Sequence, residues 1–421
     1  MPPARADFVP LMVTAPLLIV PATMSWLTIA VLIVVTPLAI VRLLAARGSM
    51  RLAWPAIGIV AMALVGTAVS PDRTVSLQKL AGIVLGVLAL AAVQIHGRSA
   101  GGFAAVLIVF VALATVAVAA GGAALLPGVA DLLPARAALQ RTVPAATVHP
   151  NGVAGLILMV APGLVLLVLS RPVWVRSEAA LAPRYRARWA RPAVLRFGAA
   201  VICLAMLTTL VASRSRSGLV GLVAAIALAF GLRLVSGHPS RRAWIAVSAA
   251  LVAAVVTIGS IAIYTGSRLP SDLATRLDIW NRAVMMIGAF PLTGVGLNAF
   301  RSLQPLVAPS QYLSPAIDVA HAHNIFLQTA LDLGLPGLCA YLALLGVAFA
   351  NCLHIAGGTS PVRRDVAVAL AANLAGIHLF GLTDALPIGG RVTLLFWLNL
   401  GLIAALYVME QDARSIQRTT L

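Results

Sequence analysis

Apolar residues come in runs of about 17–25, separated by polar connections, and each run is long enough to cross about 30 Å of hydrocarbon as a helix. In order the runs cover 8–23, 25–46, 52–69, 80–95, 103–126, 151–170, 195–212, 217–235, 243–264, 322–354, 366–382 and 391–409. The pattern predicts an all-α integral membrane protein of about 12 transmembrane helices, one polytopic domain over residues 1–421. The first run reads as a span rather than a cleaved leader, because a second follows it at once. The run at 322–354 is too long for one straight crossing, and Gly334, Pro336 and Gly337 mark where it should break. Two connections stand out: an arginine-rich one at about 171–195 and a long one at about 265–322, expected to carry short interfacial helices.

Composition removes the alternatives to a membrane fold. Of the 421 residues, 61% are hydrophobic and 10% charged, and the mean hydropathy is +1.00, far outside the range of a soluble domain. A formal charge of +18 would suit nucleic acid, but the basic residues sit in short connections between apolar runs, so no nucleic-acid partner is expected. An even number of spans puts both termini on one side. Retention of positive charge makes that side the cytoplasm, places the 171–195 connection inside and leaves 265–322 outside. Cys203, Cys339 and Cys352 fall in apolar runs and read as buried small hydrophobes, with no disulfide framework.

The charges left on the outer side carry the chemistry. In SRSRSG, residues 213–218, an extended link would point Arg214 and Arg216 the same way beside a helix N-terminus, the makings of a diphosphate clamp. Ordinary snorkelling to lipid phosphates is the bland alternative. The segment RLDIWNRAVMMIGAF has Leu277, Trp280, Val284 and Ile287 at helical spacing, with Arg276, Asp278, Asn281 and Arg282 largely off that stripe. It predicts a helix on the outer membrane surface with an Asp278–Arg282 pair and Arg276 at headgroup level. LTGVGLNAF follows as a turn with close backbone approach, and the chain returns through Arg301 to HAHN.

His321 and His323 would share a face in an extended segment and diverge on a helix. With no further His, Cys or acidic pair beside them in sequence, a metal site is disfavoured. A neutral imidazole at the membrane surface could serve as general base, or merely cap or pack. Phosphate loops, GxSxG elbows and a two-carboxylate hydrolase pair are missing from a chain with ten aspartates and two glutamates. Arginines plus histidines suit transfer from a phosphate-activated donor instead.

His323 and Asn324, then nine residues, then Gly334, Leu335, Pro336 and Gly337, resemble the H-[N/S/Q]-x9-G-x-x-G signature of bacterial O-antigen ligases and the related polymerases. SRSRSGL, the R-x3-W at Arg276 and Trp280, PLTGVGLNAF, and HPN at His149 to Asn151 are similar to the rest of that superfamily's pattern, as is one large periplasmic loop between late spans. The resemblance implies a metal-independent membrane glycosyltransferase of the C class in the bacterial inner membrane, without a cofactor. Its donor would be an undecaprenyl-diphosphate-linked glycan and its acceptor lipid A core, among membrane lipids. Matched by position, His323 would be the catalytic base, and Arg214, Arg216 and Arg276 would hold the diphosphate. His321, Asn324, Arg282 and Arg301 are secondary candidates. A polymerase extending lipid-linked repeat units is the alternative within the family, and a lipid-linked glycan flippase the alternative outside it.

Overall fold

The computed structural model describes residues 26–45, 50–125, 150–170, 192–235, 271–307, 309, 319–386, 388–390 and 393–419. Among these, the regular structure is helical and no strand occurs. Among the described residues, eight helical stretches are long and apolar enough to cross a membrane, so the protein is an all-α, multi-pass membrane protein. The runs expected at 8–23 and 243–264, most of the arginine-rich connection and His149 lie outside the described residues.

The helices are α1 Trp26–Ala45, α2 Met50–Val69, α3 Arg73–His96, α4 Ala100–Leu125, α5 Pro150–Leu158, α6 Ala161–Leu169, α7 Pro192–Ala212, α8 Arg216–Val235, α9 Ser271–Ala289, α10 Phe300–Val307, α11 Ile325–Ala356, α12 Pro361–Phe380 and α13 Leu394–Thr419. Ten of the expected runs therefore appear as helix, with shifted ends. α3 starts at Arg73 rather than 80 because Asp72 caps it, accepting from Thr74 N at 3.0 Å and Val75 N at 3.2 Å. α12 starts at Pro361, where a missing N–H costs nothing.

The 151–170 run is two helices rather than one. Pro162 cannot complete the hydrogen-bond ladder, the backbone turns at Met159 and Val160, and Gly163 N donates instead to the buried side chain of Asn373 at 2.7 Å. Cys203 and Cys352 are buried as expected, but Cys339 is exposed; on a spanning helix an exposed thiol meets hydrocarbon at little cost.

Contacts divide the chain into two compact units. One comprises residues 103–259, 349–380 and 406–421. Within it α12 packs on α8, α6 and α5, and α7 packs on α6. Its buried Asp365 accepts from Arg233 at 3.0 Å, and its buried Glu410 pairs with Arg363 and Arg414 at 2.7 and 2.8 Å. These arginines are thus committed within the fold.

The other unit comprises residues 1–102, 260–348 and 381–405. α3 packs on α1 and α2 and is the most enclosed of the spans that lie wholly within it. Gly82 and Gly86 let the Gly389 backbone and the Trp397 ring come against α3, positions where a Cβ would sit 1.9 and 2.1 Å from its nearest neighbour. In α11 the expected break is present: Gly334 has φ 66 and ψ 178. The PLTGVG turn takes up what the break releases, with Val295 N donating to Leu331 O at 2.8 Å and Leu335 N to Pro291 O at 2.7 Å. Gly294, at φ 68, permits this approach, since a Cβ there would lie 2.3 Å from Leu331 O. The close backbone approach read from the glycines is therefore a docking of this turn onto the broken helix.

α9 carries the expected Asp278–Arg282 pair at 2.8 Å. Its packed face differs from the predicted stripe: Ile279, Ala283 and Met286 are buried with Phe300, Val319, Ala322 and Leu331, while Trp280 and Ile287 only flank the cluster and Leu277 and Val284 are exposed. The reason is tertiary. The HAHN segment occupies the side that Ile279 and Met286 face, so the apolar residues a turn away are left outward.

Candidate active site

Residues 319–324 are not helical, which decides between the two arrangements open for the histidines. His321 and His323 share a face, with ring centroids 4.3 Å apart and planes at 58°. His323 itself is in the left-handed region, φ 47, a conformation that costs about 1–3 kcal/mol and persists only where the surroundings impose it. Six hydrogen bonds around the segment hold it here. Trp280 Nε1 donates to His323 O at 3.3 Å, Ala322 N to the buried Gln328 Oε1 at 2.9 Å, and His323 N to His321 Nδ1 at 3.3 Å. Asn324 then caps α11, its Oδ1 accepting from Phe326 N at 2.9 Å and Leu327 N at 3.1 Å, while its Nδ2 donates to Leu382 O at 3.0 Å.

The Asn after the histidine is therefore a cap that ties the segment to residues 381–384. Asn324→Ala is expected to cost about 1 kcal/mol through the cap alone, and Asn324→Asp to retain most of it, measured by thermal unfolding in detergent.

Sequence reasoning gave no place to Asp384. No acidic pair stands beside the histidines in sequence, but the fold supplies a single carboxylate: Asp384 follows α12 and is brought against them by the Ile325 N to Gly381 O bond of 2.7 Å. Its only trace in the sequence is a carboxylate in the polar gap between two late apolar runs. Its side chain is 4% exposed, with Oδ1 3.3 Å from His323 Nδ1 and 3.8 Å from His321 Nε2. Ala385 N donates to the same oxygen at 2.8 Å. Burial pushes the carboxyl up, but the contact with His323 and the charges of both imidazoles outweigh it, holding Asp384 below the ordinary aspartate value and ionised at neutral pH.

The tautomers follow from these contacts. His321 Nδ1 accepts from the His323 amide, so its proton lies on Nε2, toward Asp384. His323 turns Nδ1 to Asp384 at an ion-pair distance, though not aligned as a hydrogen bond, which favours the proton there and leaves Nε2 with a free lone pair. With its side chain 27% exposed, His323 is reachable from outside. An imidazole that turns Nδ1 to a buried carboxylate and keeps Nε2 accessible has the layout a general base can use.

The arginines differ in what occupies them. Arg276 lies one turn before Trp280 on α9, partly buried, with no ion pair or hydrogen bond among the described residues. Arg282 is 4% exposed and committed to Asp278, through Nη2 at 2.8 Å and through Nε to its carbonyl at 3.4 Å. Arg301 is exposed on the first turn of α10. In the other unit, Arg214 and Arg216 are exposed while Ser213 and Ser215 are buried, the alternation the link predicted. The link is not extended, however. Arg214 is left-handed at φ 54, Arg216 already opens α8, and Ser215 Oγ accepts from Gly218 N at 3.2 Å as its cap. Neither arginine side chain has a protein partner among the described residues.

No curated protein matches the chain. SRSRSG, Arg276, Trp280, HAHN and the Gly334 break all fall within residues 198–342, the stretch of this chain that matches the Wzy_C family model, described as O-antigen ligase.

Proposed function

We propose that the protein is an O-antigen ligase proper, transferring a glycan from undecaprenyl diphosphate to a sugar of lipid A core and completing lipopolysaccharide. The observation that carries the reading is the His323–Asp384 contact at 3.3 Å, with the His323 backbone held by Trp280. His323 Nε2 takes the proton of the acceptor hydroxyl as that oxygen attacks the anomeric carbon. The bond from that carbon to the diphosphate oxygen breaks, and undecaprenyl diphosphate leaves with the electron pair. A single displacement inverts the anomeric configuration.

Arg276 offsets charge building on the leaving diphosphate. Arg214 and Arg216 are proposed as diphosphate ligands because they match the family pattern and are exposed. Arg282 and Asn324 act as structural supports, since each is already engaged. The setting is the inner membrane, with both termini cytoplasmic and the reaction at the periplasmic leaflet, where the lipid donor already carries the energy of transfer.

The test is transfer in liposomes from purified undecaprenyl-diphosphate glycan to lipid A core, with chelator present. Core-linked product with inverted anomeric configuration is the expected result. Glycan lengthening on its own lipid with unmodified core would replace ligase by polymerase, and turnover of neither kind would leave the flippase reading.

A further inference from the structure

We infer that His321, His323 and Asp384 form a binding site for a divalent transition-metal ion of the Zn2+ class, and that occupation of this site blocks transfer. The inference rests on the proposed role of His323 for its inhibitory half and on geometry for its binding half. Each residue offers one ligand atom, and the three atoms lie within 4.8 Å of one another. Tetrahedral zinc with bonds of about 2.0–2.1 Å separates its ligand atoms by about 3.3 Å. The Asp384 Oδ1 to His323 Nδ1 separation is already 3.3 Å, and that to His321 Nε2 is 3.8 Å, half an ångström of closure away.

Two imidazoles and one carboxylate are the donor set of three-ligand zinc sites. Asp384 is the buried carboxylate of the set, held in place by the Ala385 amide. The two rings are 24% and 27% exposed, which leaves an entry path and a position for water.

The hydrogen bonds of the metal-free site oppose the ion and set the outcome. Ligation through His321 Nε2 moves that ring's proton to Nδ1 and sacrifices the 3.3 Å bond from the His323 amide. Ligation through His323 Nδ1 displaces the proton directed to Asp384 and moves it to Nε2, the atom the reaction needs as a base. The ion therefore competes with the catalytic arrangement, removing both the orienting carboxylate and the free lone pair. The site is one a metal invades, not one the reaction is built around.

The experiment uses the full chain in detergent micelles, stripped with chelator and titrated with Zn2+ by calorimetry, and with Co2+ for the visible ligand-field absorption of a four-coordinate site. One equivalent bound is expected in the wild type, weakened at least tenfold in His321→Ala and in Asp384→Asn, each checked for an unaltered unfolding transition. Zn2+ should then slow transfer in proportion to occupancy, with chelator restoring it. Equal binding by wild type and both variants would overturn the site. Binding without inhibition, or turnover only when metal is present, would overturn the inhibitory role. If no glycan transfer is detected at all, the proposed function fails while the Co2+ spectrum still decides the site.

Discussion

His323→Ala is expected to lower glycan transfer by about 10²–10⁴-fold, the range a positioned general base contributes, while leaving the unfolding transition and donor binding near those of the wild type. The reasoning is local. The His323 ring is 27% exposed, so its truncation opens no large cavity. The interactions that shape the loop come from its backbone, from Asn324 and from Gln328, all retained in the variant. Loss of rate with the donor still bound separates a base from a diphosphate ligand, and Arg276→Ala is the contrasting case because it should weaken donor binding as well. Asp384→Asn should also slow transfer, since an amide in place of the carboxylate no longer favours the tautomer with Nε2 free. Initial rates at saturating donor, compared with donor binding to the same preparations, supply the answer. A His323→Ala protein that transfers at the wild-type rate would remove the base from the mechanism.

Lys79→Met is expected to be the most destabilising single change outside the reaction chemistry, costing about 3–5 kcal/mol, because it strands a buried carboxylate. Lys79 is the chain's only lysine, and its ammonium pairs with Asp332 Oδ2, the two side chains 4% and 1% exposed. Asp332 sits just before the Gly334 break of α11 and also accepts from Asn298 N at 2.8 Å. Beside it, Leu297 N donates to Gly66 O at 2.9 Å, and Ser76 Oγ donates to Leu297 O at 2.6 Å.

The pair thus joins α3, the GLN turn and the upper part of α11, which begins at the HAHN segment. Replacing both partners, Lys79→Met with Asp332→Leu, should recover much of the loss, since an apolar pair leaves no uncompensated charge, although Asn298 N then lacks its acceptor at about 1–3 kcal/mol. Thermal unfolding in a fixed detergent would show the order wild type, double variant, single variant. A single variant as stable as the wild type would mean that water reaches Asp332.

Several features were decided locally and are legible in the sequence. Apolar runs of spanning length can only be helices in hydrocarbon, so fold class and most helix positions follow from hydropathy. The α11 break follows from Gly334 with Pro336, and the Asp278–Arg282 pair from helical spacing, both short-range consequences of backbone geometry. His323, Arg214, Arg216 and Arg276 could be singled out because they are polar groups clustered in short motifs between apolar runs. Which face of α9 packs was not legible, because it depends on where HAHN lies and not on the helix alone.

Asp384 and the Lys79–Asp332 pair stayed hidden for a different reason. Their partners are 61 and 253 residues away in sequence, and nothing in a carboxylate's own neighbourhood says which imidazole or ammonium it will meet. The sequence by itself determined a helical membrane protein with its polar, reactive side chains in the connections between apolar runs, since hydrocarbon demands helices and excludes unpaired charge. Only the tertiary structure decided which carboxylate faces His323, because long-range packing alone brings residue 384 to residue 323.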